Sequence, residues 1–129
     1  MNEDTARTYL LTKPEAVEDY PFGPDVAVFK VLGKMFATLA DDAGTPNMNL
    51  KCDPDEAQML RDVFPSVVPG YHMNKDHWNT IILDGTVPTG EIERMIDNSY
   101  SLVVRKMKKA DRVFLETRYS EDQLYKTKR

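Results

Sequence analysis

One stretch of this sequence dictates what the rest must provide: Ile92, Met95, Ile96, Ser99, Leu102, Val103 and Met107 recur at i, i+3, i+4, i+7, the repeat of an amphipathic helix. Such a stripe runs for about four turns and is stable only against a second apolar surface. The chain offers that surface as strands. Val26–Val31 and Met35–Ala40 are rich in β-formers and flank Leu32-Gly33, which predicts a hairpin. Lys30 faces away from Phe29 and Val31, so one sheet face is apolar and the other can be wet. Asp41–Pro46 is turn chemistry, and beyond it Met48, Leu50 and Cys52 alternate with Asn49 and Lys51 as a third strand of the same antiparallel sheet requires. Trp78–Leu83 reads as a further strand closed by Asp84-Gly85.

Local punctuation places the other elements. Ala6, Tyr9 and Leu10 predict a short helix over Asn2–Thr12, stopped by Pro14. Residues 14–25, PEAVEDYPFGPD, hold three prolines and a glycine, predicting an extended, turned loop that packs or presents Tyr20 and Phe22. Asp53 as N-cap, Pro54 at the first helical position and Glu56 at the capping-box position open a helix whose buried stripe is Ala57, Leu60 and Phe64, ended by Pro65. Pro88, Glu91 and Glu93 open the long helix. After Lys109 the apolar repeat weakens, and Ser120–Arg129 is polar and short of apolar anchors, which predicts a frayed or loosely docked end. The expected architecture is α+β, an antiparallel β-sheet with helices packed on one face, with residues 1–110 as a single domain and 111–129 as a C-terminal extension, partly helical or frayed.

Composition bounds the function. A chain of 129 residues with 41% hydrophobic and 29% charged residues suits one globular domain, and no apolar run nears the roughly 20 residues that span a bilayer. The acidic start, MNEDTARTYLLTK, does not read as a signal peptide, and lone Cys52 cannot form an internal disulfide; a cytoplasmic monomer is the expectation. A net charge of −4 opposes whole-molecule attraction to phosphate. The charge is uneven, however. Residues 1–25 carry six acidic and two basic side chains, and residues 105–129 carry nine basic and four acidic, with Arg105, Lys106, Lys108, Lys109 and Arg112 clustered. The simplest account of that cluster is a solvated helix end whose cations complement the dipole.

Recognition chemistry concentrates in PGYHMNKDHWNTIILDG, residues 69–85. Tyr71, His72, Asn74, Lys75, His77, Trp78 and Asn79 put rings, a cation and amides within nine positions. His72 and His77 lie five apart with Asp76 between them, but no CxxC or HExxH spacing accompanies them, so no metal and no other cofactor is expected. Cys52 with His72 or His77 is the one conceivable nucleophile pair, and nothing in NLKCDP activates the thiol; a buried strand cysteine accounts for it, and no enzymatic activity is expected.

The blocks PFGPD at 21–25, VFKVLGKMFA at 28–37, NLKCDP at 49–54, PGYHMNKDHWNT at 69–80 and LDG at 83–85 resemble the MmcQ/YjbR family in sequence, order and spacing, from about Glu15 to Lys106. Residues 108–129 extend past the pattern. The resemblance implies a small α+β fold similar to the frataxin-like domains, with strands projecting as a double wing, and a DNA-binding role. In that role Lys75 meets phosphate, Asn74 and Asn79 donate and accept, Tyr71, His72, His77 and Trp78 stack or enter a groove, and Lys30 and Lys51 extend the patch. The alternative is a small-molecule or protein-binding module in which Tyr71, His72, Lys75, His77 and Trp78 line a pocket under the Tyr20–Phe22 loop. DNA binding predicts an open, positive surface; pocket binding predicts a neutral concavity.

Overall fold

The long apolar stripe is carried by a helix over Thr89–Arg105, and the sheet it requires is present with six strands. The computed structural model describes residues 1–70 and 73–125. The elements are α1 (Glu3–Leu11), β1 (Ala16–Asp19), β2 (Val26–Val31), β3 (Lys34–Asp42), β4 (Thr45–Lys51), α2 (Pro54–Val63), β5 (Val67–Pro69), β6 (Trp78–Ile82), α3 (Thr89–Arg105), α4 (Lys109–Glu116) and α5 (Glu121–Tyr125). The strand order is β1-β2-β3-β4-β6-β5, and every neighbouring pair is antiparallel. Both tight turns, Leu32-Gly33 and Ala43-Gly44, take positive φ at each central residue (48° and 82°; 56° and 90°), the geometry that matches strand twist in two-residue hairpins.

Alternation sorts the strands into two faces. Ala27, Phe29 and Val31 of β2, Ala37 and Leu39 of β3, Met48 and Leu50 of β4, and Ile81 of β6 bury themselves under α3 and its neighbours. The hairpin contains a bulge between Phe29 and Lys30: Phe29 pairs with Ala37, but Lys30 pairs with Met35. Phe36 is the extra residue, turned inward and fully buried beside Ala37, which sends Met35 to the open face. The Phe36 carbonyl accepts the Ser99 hydroxyl at 2.6 Å, and Ser99 Oγ accepts the Lys51 N–H at 2.8 Å. One serine of α3 thus satisfies backbone groups on two strands.

Three sequence expectations need correction. Residues 16–19 are not loop but strand: β1 pairs with β2 despite holding Glu18 and Asp19, because tertiary pairing outweighs weak β-propensity at an edge. Val67–Pro69, expected only as a lead-in, forms the opposite edge, where a proline is tolerated. Asp53 makes no side-chain cap bond, and Glu56 turns instead to Arg94 at 2.8 Å, so the capping box is absent while Pro54 still opens the helix. The capping box belongs to α1, where Asn2 Oδ1 accepts from Thr5 N–H and Thr5 Oγ1 accepts from Asn2 N–H.

The extension is also better anchored than its sequence suggests. Leu115 and Leu124 are buried in the main core, and α5 packs on α3. With α5 packed on it and Tyr9 and Lys13 reaching Asp97, α3 is buried all round from Met95 to Ser101, polar Asp97, Asn98 and Ser101 included.

The turn into α3 supplies a pH prediction. Asp84 accepts hydrogen bonds from the Ser66 hydroxyl and from the Thr86 hydroxyl (2.7 Å) and N–H (3.1 Å), which hold its carboxyl down at about 2. A depressed carboxyl stabilises the fold above the unfolded range near about pH 4, and that contribution is lost as pH falls through about 2. Asp84→Asn is therefore expected to flatten the acid limb of thermal stability measured against pH. An unchanged limb would mean that these bonds do not form in solution.

Candidate functional site

Facing away from the helices, Thr38, Asn49 and Thr80 stand side by side across β3, β4 and β6. Asn49 Nδ2 donates to Thr38 Oγ1 at 2.9 Å, and the Thr80 hydroxyl donates to Asn49 Oδ1. This ladder sets the orientation of the Asn49 amide. Beside it opens a concavity of about 660 Å³, with Val26, Met35 and Ala40 from the sheet, Phe22 from the loop after β1 and Met73 from the segment before β6. Thr38, Asn47 and Asn49 supply its polar groups, and Asp25 and Asp41 its charges. Asp41 accepts the Gly44 N–H at 2.8 Å, whereas Asp25 has no ion pair among the described residues. Phe22 lines this hollow while 72% exposed, so its ring is available to a ligand.

The residues singled out from sequence are dispersed. Tyr71 and His72 lie outside the described residues. Asn74 and Lys75 are exposed on a turn in which Asn74 Oδ1 accepts the Asp76 N–H at 3.0 Å. His77 is half-buried and its carbonyl accepts the Cys52 N–H at 2.7 Å. Two expected contact groups are not presented for contact. Trp78 is only 9% exposed, backed by Gly70, where an added Cβ would come within 3.0 Å of the Trp78 Cβ. Asn79 points under α2, its Oδ1 accepting from Arg61 at 2.8 Å and its Nδ2 donating to the Ala57 carbonyl at 3.3 Å. The alternation of β6 explains the burial of Asn79, since it shares the inward side with Ile81.

Lys30 does face outward from the sheet, but it is held by Asp19 at 3.0 Å. Lys51 sits at the end of β4 by a different hollow, with Lys34 and Lys106, and burial together with Lys106 lowers its pKa. Of the three candidate lysines, Lys30 is paired with Asp19, Lys51 lines this hollow, and Lys75 stands exposed on the turn before β6. Phe22 and Met73 do meet across the sheet concavity, and the residues that sequence reasoning passed over are Thr38, Asn47 and Asn49. Polar residues on the outward phase of two adjacent strands were the available signal.

No group of three or more His, Cys, Asp or Glu side chains among the described residues could hold a metal ion, and no helix among them is long and apolar enough to cross a membrane. Cys52 is buried, and desolvation, with Glu56 and Asp53 adding to it, pushes its thiol up to about 12. Iodoacetamide at mildly alkaline pH is expected to label the native protein at least about a hundredfold more slowly than the urea-unfolded chain. Equal rates would show the thiol to be accessible and ionised.

Residues 11–102 match the YjbR family model. The Escherichia coli O157:H7 protein YbdF is 36% identical over 108 residues, covering 84% of this chain and 88% of its own length. YjbR of Escherichia coli K12 is 32% identical over 107 residues, covering 83% and 91%. Among solved structures, the Deinococcus radiodurans protein DR2400 superimposes with a TM-score of 0.81 at 38% identity, covering 88% of this chain and 86% of that one. A Pseudomonas syringae protein gives 0.72 at 32% identity, covering 80% and 99%.

Proposed function

The chain belongs to the YjbR family, and from that premise we propose that it is a non-catalytic binding protein whose open sheet face receives an amphipathic small molecule bearing a cationic group. The observation that carries this reading is the 660 Å³ concavity, apolar along Phe22, Val26, Met35 and Met73 and polar along Thr38, Asn47 and Asn49. Its size and mix of apolar walls with a few fixed hydrogen-bonding groups are those of small-ligand sites. Asp25 and Asp41 favour a cation at the rim and oppose phosphate. DNA is the weaker reading for the same reason, with Lys30 paired to Asp19 and Trp78 buried. A binding role without catalysis accords with a hollow furnished by amides and a hydroxyl already engaged in a ladder, and with an inert Cys52.

The test is a nitrogen-15 NMR titration with phenethylamine, an aromatic body with one ammonium, beside a titration with duplex DNA at low salt. Phenethylamine is expected to shift the amides of Thr38, Asn47 and Asn49 saturably. Phe22→Ala, which removes an exposed wall without touching the core, is expected to weaken binding about tenfold. DNA binding lost in Lys75→Ala, with the concavity silent to phenethylamine, would overturn this reading in favour of nucleic acid.

A further inference from the structure

We propose that the hollow between Lys34, Lys51 and Lys106 is a separate binding site for a phosphate group carried by a small molecule. It measures about 240 Å³ and takes its walls from three elements that are distant in sequence: Lys34 and Met35 open β3, Lys51 closes β4, and Val103, Lys106 and Met107 lie at the end of α3. Three lysines line it on a protein whose net charge is −4, and Lys106 acts electrostatically on Lys51. Among the described residues none of the three has an ion pair or a side-chain hydrogen bond, although Arg7, Lys13, Lys30 and Arg94 each have a carboxylate.

Lys106 caps the C-terminus of α3, but that helix end does not account for all three. Its negative end attracts cations through unbonded carbonyls, yet the Val103 carbonyl takes the Lys106 N–H, the Val104 carbonyl takes the Met107 N–H, and the Met107 carbonyl takes Arg112 Nε at 3.2 Å. Lys34 and Lys51 moreover come from the sheet, not from the helix. Lys51 is half-buried, and both its desolvation and Lys106 press its pKa downward, a cost that a bound anion relieves. The floor made by Val103 and Met107 is apolar and buried, so an anion here is partly shielded from water, which strengthens each contact.

Met35 is common to this hollow and to the sheet concavity. The bulge at Phe36 is what places it between them.

Pyrophosphate is the probe, titrated at low ionic strength and followed by amide shifts, with duplex DNA in a parallel arm. The wild type is expected to show saturable shifts at residues 34, 51 and 103–107. Lys51→Met and Lys106→Met keep the apolar stems and relieve crowding of charge, so both variants are expected to fold, and each is expected to weaken binding about tenfold. Lys75→Met, on an exposed turn elsewhere, is the control and should leave affinity unchanged. Shifts that do not saturate, or that fall equally in the control, would overturn the site as nonspecific ion attraction. Duplex DNA binding through these lysines without saturable pyrophosphate binding would overturn it in favour of a nucleic-acid surface. The phenethylamine titration reads a different set of amides, so either site can fail without the other.

Discussion

Asp97→Ala is expected to destabilise the protein by about 3–5 kcal/mol, the range for removing one partner of a buried ion pair. Asp97 lies in the middle of α3 with its side chain 7% exposed, and Lys13, just past α1, is 10% exposed and donates to it at 2.8 Å. The Tyr9 hydroxyl donates to the same oxygen at 2.9 Å. Burial, then that bond to Asp97, raises the Tyr9 pKa, which keeps the phenol protonated as a donor. Without the carboxylate, the Lys13 ammonium keeps only the face of Tyr100, 5.3 Å from its ring centre, and the phenol loses its acceptor. Lys13→Met should cost less, because Asp97 retains the Tyr9 hydroxyl. The double variant Lys13→Met/Asp97→Leu should recover much of the loss, since an apolar pair carries no stranded charge. Urea unfolding of the three variants measures the coupling. A single-variant loss under about 1 kcal/mol would mean that the pair behaves as an exposed salt bridge.

Leu124→Ala is expected to cost about 2–5 kcal/mol, as a fully buried leucine in a main core does. Leu124 is 1% exposed and belongs to the same cluster as Tyr100 and Ile96. Around it the last helices are tied at several points: the Tyr119 hydroxyl donates to Glu15 at 2.6 Å, Tyr125 to Glu116 at 2.6 Å, and the Arg105 guanidinium lies 4.8 Å from the Tyr125 ring centre. Loss of the leucine should loosen α4 and α5 together. Limited trypsin digestion then separates the outcomes, because Lys109, Arg112 and Arg118 become cleavable if the helices lift from α3. Unchanged stability and unchanged digestion would contradict the docking of α5.

These two sites also mark where sequence reasoning falls short. Asp97 sits in a helix that reads as amphipathic, and nothing local says that its polar side is covered; the cover comes from Lys13 and Tyr9, more than eighty positions away. Leu124 stands in a polar tail with no periodic partner, so its burial is invisible until α3 offers the surface. The candidate site divides in the same way. The loop with Phe22 and the segment with Met73 were legible as recognition elements from their composition, but their meeting over Thr38, Asn47 and Asn49 depends on strand register. Trp78 and Asn79 looked alike as contact groups, and only the pairing of β6 with β4 and β5 buries both.

What this sequence determines by itself is what short-range physics encodes: the period of α3, the two hairpin turns, the prolines that bound α2, and motif blocks specific enough to place the family. The tertiary structure alone decides which outward residues share a hollow, which cations are paired and which polar groups are sealed. A one-residue bulge at Phe36 is the clearest instance. It reverses the facing of Met35, and with it the wall between the sheet concavity and the lysine hollow, through a pairing choice whose cost and reward lie in the neighbouring strand and in Ser99 of α3, not in the residues that turn.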